Sequence, residues 1–145
     1  MKNAYNIILA SGSSAISTMT YPINLNNLQA GNYNLTFAYS SNGITTFGAE
    51  TSNTLLQLDL GQATTYLVFN PLSSITNISK VIGALKPVFF GTFLSFQNSP
   101  SDNPPVPIYI STGITEITVS LLNGTTMASV SGVDTYTLIL HLEEI

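Results

Sequence analysis

The chain has 145 residues, enough for one well-cored domain, and only 7% of them are charged, against roughly 25% in an ordinary soluble domain. The cations are Lys2, Lys80 and Lys86, the acids are Glu50, Asp59, Asp102, Glu116, Asp134, Glu143 and Glu144, and the formal net charge is -4. Three scattered lysines without an arginine exclude a groove for nucleic-acid phosphates, and the absence of cysteine excludes a thiol nucleophile, a disulfide scaffold and a Cys/His zinc site.

The first fifteen residues, with one lysine and a short apolar run, have the outline of a signal peptide, but Tyr5 and Asn6 break the run and no cleavage is expected. Ala4–Ala10 is instead the first candidate strand, and Ala15–Ile23 the second. In Asn32 to Ser40 the residues Tyr33, Leu35, Phe37 and Tyr39 alternate with Asn34, Thr36 and Ala38, the pattern of a half-buried strand. Thr45–Glu50, Thr54–Leu60 and Thr64–Asn70 follow as further candidates. After Pro71 the period changes: Ile75, Ile78, Ile82 and Leu85 recur at near-helical spacing, with Ser73 or Ser74 as an N-cap and Pro87 as a stop, and this predicts a short crossover helix.

Val88–Phe96 reads as one strand, with Val88, Phe90, Leu94 and Phe96 on one face and Phe89 and Phe93 on the other. The window Val81 to Phe96 is the most apolar in the chain, yet it contains Lys86 and Pro87 and is shorter than the roughly 20 residues a spanning helix needs, so no membrane span is expected. Gln97 to Pro107, with four prolines, predicts an exposed loop. Val106–Ile110 is the next strand, then a strand in which Ile117, Val119 and Leu121 oppose Glu116, Thr118 and Ser120, then Met127–Val130. In the last strand Tyr136, Leu138, Leu140 and Leu142 oppose Thr137, Ile139, His141 and Glu143. Asn42-Gly43 and Asn123-Gly124 each lie between apolar runs and predict type I′ hairpin turns, which need positive φ at both central residues.

Abundant Ser, Thr and Asn, about a third of the chain, suit short strands joined by polar turns. We expect an all-β fold: one domain over residues 1–145, an antiparallel β-sandwich, a single jelly roll of about 8–10 strands with one short helix in a crossover.

Few groups are available for chemistry. His141 is the sole histidine, without a partner set for a triad, and reads as a polar residue beside the sheet, sharing its face with Glu143. Glu116 and Asp59 each interrupt an apolar strand and could meet as a glycosidase pair, but acids at such positions normally mark the wet face. The other acids are too dispersed for a calcium cage, and the sequons at Asn34, Asn77 and Asn123 are expected by chance in so Asn-, Ser- and Thr-rich a chain. We expect no enzyme, no cofactor and no metal.

The apolar signal is sharper. A strand apolar on both faces is covered within its own chain or presents Phe89 and Phe93 to a neighbour, and these two are the candidate interface residues. AT-rich coding would enrich Asn, Ile, Tyr and Phe, but also Lys, which is scarce here. The charge depletion therefore belongs to the protein, and it points to a surface covered by neighbours, where unpaired charges are costly to bury.

Tyr5-Asn-Ile-Ile-Leu-Ala-Ser-Gly-Ser-Ser14, Tyr21-Pro-Ile-Asn-Leu-Asn-Asn27 and Ala30-Gly-Asn-Tyr-Asn-Leu-Thr-Phe37 resemble the small single-jelly-roll minor capsid proteins, of penton or cement type, of large double-stranded DNA viruses of algae and protists and of their virophages. So do Leu56-Gln-Leu-Asp-Leu-Gly61, Ile82-Gly-Ala-Leu85, Asp102-Asn-Pro-Pro105 with Ile108-Tyr-Ile110, and the closing Tyr136 to Ile145. The likeness is one of strands and turns over nearly the whole chain and carries no functional residues. It implies a virion structural protein of the capsid shell, assembled inside the host cell: a homo-oligomer, trimer or pentamer, that docks on or between copies of a major capsid protein, with no direct nucleic-acid or membrane contact. The alternative is a carbohydrate- or receptor-binding jelly roll at a virion or cell surface, for which seven tyrosines would supply stacking groups and the missing tryptophan removes the strongest platform.

Overall fold

A computed structural model describes residues 2–13, 16–23, 28–41, 53–60, 62–63, 66–68, 78–91, 93–130 and 133–145. They form an antiparallel β-sandwich, with no helix among them. Among the described residues twelve strands follow one another: β1 (Ala4–Ala10), β2 (Thr18–Pro22), β3 (Gly31–Ser41), β4 (Thr54–Asp59), β5 (Gln62–Ala63), β6 (Tyr66–Val68), β7 (Ile78–Ala84), β8 (Pro87–Phe90), β9 (Phe93–Asn98), β10 (Val106–Ile110), β11 (Glu116–Asn123) and β12 (Tyr136–Glu144).

One sheet has the order β1-β12-β3-β10-β5, with the β8–β9 hairpin attached through β9 to the end of β3; the other has the order β2-β11-β4-β7-β6. The first four long strands thus alternate between sheets, β1 and β3 in one, β2 and β4 in the other, and the last three long strands return beside them.

The alternation seen in the sequence explains why the layers adhere. Tyr33, Leu35, Phe37 and Tyr39 of β3, Leu138, Leu140 and Leu142 of β12, and Ile108 and Ile110 of β10 are buried against Leu56 and Leu58 of β4 and Ile117, Val119 and Leu121 of β11, in a single core. The intervening residues of each strand face outward. At one end of the core Ser11 closes the β1–β12 ladder: its N–H donates to the Tyr136 carbonyl (3.0 Å), and its Oγ accepts the Tyr136 N–H (2.8 Å). Ser11→Ala leaves that buried donor without its acceptor, and the expected cost is about 2 kcal/mol, read as a fall of several degrees in Tm.

Local expectations are corrected at several points, and Met127–Val130 forms only the Leu122↔Ser129 bridge rather than a strand. The crossover helix is not formed over residues 78–84, which are β7; Ser73, Ser74 and Ile75 lie outside the described residues. The cause is a bulged strand. Lys80 sits at φ 67°, and the register with β4 passes from Leu56↔Gly83 to Gln57↔Val81, one residue longer on β7. Val81 and Ile82 are consecutively buried as a result, so the apolar residues lose their period of two and imitate a helical spacing.

Val88–Phe96 is not one strand but the β8–β9 hairpin, turned at Gly91, whose φ of 60° a side chain would disfavour. Asn123-Gly124 does reverse the chain, through the Leu122↔Ser129 bridge, but not as a type I′ turn. The Asn123 side chain accepts the N–H groups of Thr125 (2.8 Å) and Thr126 (3.2 Å), Gly124 donates to Asn53, and the left-handed residue is Met127. Capping by Asn123 therefore builds a longer turn. Asn42-Gly43 and Thr45–Glu50 lie outside the described residues.

The Pro-rich loop is shorter than expected: Gln97 and Asn98 close β9, and Val106 and Pro107 open β10, where Pro107 lies opposite Asn34, so only residues 99–105 leave the sheets, and they are pinned at both ends. Asn98 accepts the Lys86 N–H (2.9 Å) and donates to the Ala84 carbonyl (3.0 Å), while Asn103 accepts the Ala84 N–H (3.1 Å) and donates to the same carbonyl (3.1 Å). Two asparagines thus fasten residues 98–103 to the end of β7.

Candidate interaction surface

Register on the outer face of the first sheet places side chains in rows across the strands. Ile8 of β1 lies opposite Ile139 of β12, which lies opposite Ala38 of β3. On one side of this apolar row run Asn6, His141 and Thr36; on the other run Ala10, Thr137 and Ser40. Beyond the first of these come Ala4, Glu143, Asn34 and Pro107. Ile8 is 66% exposed and Ile139 37%. In these rows Glu143 is the single acid, and there is no lysine.

Over the middle of the face lies a depression of about 280 Å³, floored by Asn6, Thr36, Ala38, Ile139 and His141 and walled by Pro100 from the pinned loop. His141 Nδ1–H donates to Asn6 Oδ1 at 2.7 Å, so the histidine is held against the sheet by a cross-strand neighbour.

The outer face of the second sheet is different in kind. Thr18 pairs with Ser120 and Thr20 with Thr118, with side-chain contacts of 3.4 and 3.1 Å, and Gln57 continues the row beside Ser120. Asp59 and Glu116 are both on this solvated side, and Asp59 is engaged by Lys80 at 2.9 Å. The register sets Asp59 opposite Thr118, two residues from Glu116 on the neighbouring strand, so the two acids share this face, and the ion pair with Lys80 partly neutralises Asp59. No three His, Asp or Glu side chains among the described residues come together as metal ligands.

Of the two candidate interface residues, Phe89 is 64% exposed on the β8–β9 hairpin, opposite Leu94 in register. Phe93 opens β9 opposite Phe90, and its side chain lies outside the described residues. The structure adds Ile8, Ile139 and Ile16, the last 61% exposed, to the exposed apolar set. The first two were open to reading in the sequence, because each is an isoleucine in the outward phase of its strand. Pro100 as a wall had no sequence signal, since it depends on the fold of its loop.

Tyrosines are mostly spent on the core: Tyr33, Tyr39 and Tyr136 are buried, Tyr5 and Tyr21 half-buried, and Tyr109 is exposed, while the side chain of Tyr66 lies outside the described residues. Of the sequons, Asn34 is exposed within β3, Asn123 is buried in its turn, and Asn77 lies outside the described residues. No helix among the described residues is long and apolar enough to cross a membrane. Comparison with models of known protein families, with curated proteins and with solved structures gives no match.

Proposed function

We propose that the chain is a structural virion protein, a minor capsid or cement component that assembles with copies of itself and docks on or between major capsomers of a double-stranded DNA virus. The observation that carries this reading is the outer face of the first sheet. A strand face that stays in water normally carries several Lys and Glu; here Glu143, in the outermost row, is the one charge, and Ala, Asn, His, Thr and Ser surround an exposed Ile8–Ile139 pair. Away from Glu143 such a face loses little on desolvation, and a neighbour of ordinary neutral surface can cover it without pairing a charge.

Strand order supports the finer reading of the fold. Without β5, β6 and the β8–β9 hairpin, eight strands remain; renumbered along the chain they run 1-8-3-6 in one sheet and 2-7-4-5 in the other, the order obtained by wrapping one long hairpin into a jelly roll. The resemblance in strands and turns to the minor capsid proteins of algal and protist viruses points the same way. Function in this reading needs no titrating group: many weak contacts, multiplied by avidity in a shell, hold the protein in place.

Light scattering of the purified protein tests the proposal. The expected result is a discrete oligomer whose mass is the same at low and high salt, because its contacts are not ionic. A monomer at every concentration, with no shell material co-purifying, would overturn it.

A further inference from the structure

We propose that β1 is a self-pairing edge, at which a second copy of this chain adds its own β1 antiparallel across a two-fold axis. This deepens the reading of a self-assembling shell component, and it concerns the rim of the sandwich rather than its outer face. β1 ends its sheet, and among the described residues no strand pairs with its other side.

The phase of the β1–β12 ladder says which groups are left open. Asn3 O accepts the Glu144 N–H and Ser11 N–H donates to Tyr136 O, so the odd-numbered residues between them, Tyr5, Ile7 and Leu9, are the ones bonded to β12. The backbone N–H and C=O of Ala4, Asn6, Ile8 and Ala10 therefore point away from β12, out of the edge.

Sheet edges in water are usually blunted by shortness, proline, lysine or a bulge. Here the other edges follow that rule: β5 has two residues, β6 three, β8 begins with Pro87, and β2 ends in Pro22. β1 does not. It has seven residues in unbroken register with β12, without charge, proline or glycine.

The strand is also complementary to itself. With Ile7 on the two-fold axis, Ala4 faces Ala10 of the second copy and Asn6 faces its Ile8, so all four outward residues on each side are matched, with about eight backbone hydrogen bonds. No like charges meet. On the inner side Tyr5 and Ile7, half-buried and packed against the core, meet Leu9 and Ile7 of the second copy, so the core continues across the axis. The contact closes on itself, because the opposite end of the same sheet is the two-residue β5, and the result is a discrete pair or a pair of rings rather than a fibre.

The experiment is sedimentation of the full chain, wild type against Ile8→Lys and Ile8→Pro. Lysine is a natural edge blocker, and proline removes an outward N–H while leaving the bonds to β12 in place. The wild type is expected to contain an even number of chains and each Ile8 variant half that number, with an unchanged circular dichroism spectrum. Ile139→Lys, which puts the same charge opposite Ile8 on the outer face without touching the edge, is expected to keep the wild-type number; halving by Ile139→Lys as well would assign the contact to the outer face and overturn edge pairing. An odd wild-type number, or folded Ile8→Lys protein at the wild-type mass, overturns edge pairing while leaving the broader shell-component reading intact. A wild-type monomer at every concentration overturns both. Proline at position 8 that prevents folding does not obscure the result, since the lysine variant keeps every backbone group.

Discussion

Above pH 10 the protein is expected to unfold in step with the ionisation of two buried tyrosines. Tyr39 and Tyr136 stack at 5.2 Å with their rings 20° apart, at the end of the core where Tyr21 donates a hydrogen bond to the Tyr136 hydroxyl at 3.0 Å. Burial pushes both phenols well above their usual 10; the charge of Asp134 adds to the effect on Tyr39, and the hydrogen bond with Tyr21 to that on Tyr136. A folded-state pKa raised above the unfolded value means stability that is fully present below pH 10 and lost as pH rises beyond it. Each group removes at most about 1.4 kcal/mol per pH unit, and Tyr136, less completely shielded than Tyr39, removes less, so by about pH 12 the pair removes a few kcal/mol, a large part of the stability of a small domain. Tyrosinate absorbance and circular dichroism followed together test this: part of the absorbance should appear in one step with the loss of the β signal, and Tyr39→Phe should move that step to higher pH. Complete ionisation with a midpoint near 10 and an intact β signal would contradict it.

Strands that alternate cleanly were legible from the sequence because their period is set by burial. β1 and β10 have the boundaries expected of them, and β3, β11 and β12 bury the residues their alternation assigned to the core. The misreadings have one physical origin, local backbone geometry that alternation does not encode. Lys80 at positive φ bulges β7 and turned a strand into an apparent helix; Gly91 at positive φ folded an apolar run that looked continuous. The candidate surface was half legible for a related reason. A single isoleucine in an outward phase is unremarkable, and Ile8 and Ile139 become a patch only through the register that sets them opposite each other. Phe89 stood out because it lay in an unusually apolar run, and its exposure sets it apart from Leu94 and Phe96, which are buried.

Gly83→Ala is expected to destabilise the protein by about 3 kcal/mol, although alanine in a strand usually gains a fraction of that over glycine. The reason is space and not φ. A Cβ built at Gly83 lies 2.7 Å from the Asn103 side chain and 2.9 Å from Phe37 Cε1. Asn103 cannot simply swing aside, because it holds both the N–H and the carbonyl of Ala84, and Phe37 is fixed in the core. Overpacking accounts for about 1–3 kcal/mol, and release of the asparagine for about 1 more. Urea unfolding checks the value, and a neutral or stabilising result would refute it. The double variant Gly83→Ala/Asn103→Ala identifies the clash: if Asn103 is the obstacle, the pair costs less than the two single changes added together. The same asparagine anchors the loop that carries Pro100, so Gly83→Ala should also loosen the wall of the depression on the opposite sheet. Faster amide exchange at Ser101 and Asp102 would report it, and unchanged exchange there would show that Asn98 alone suffices to hold the loop.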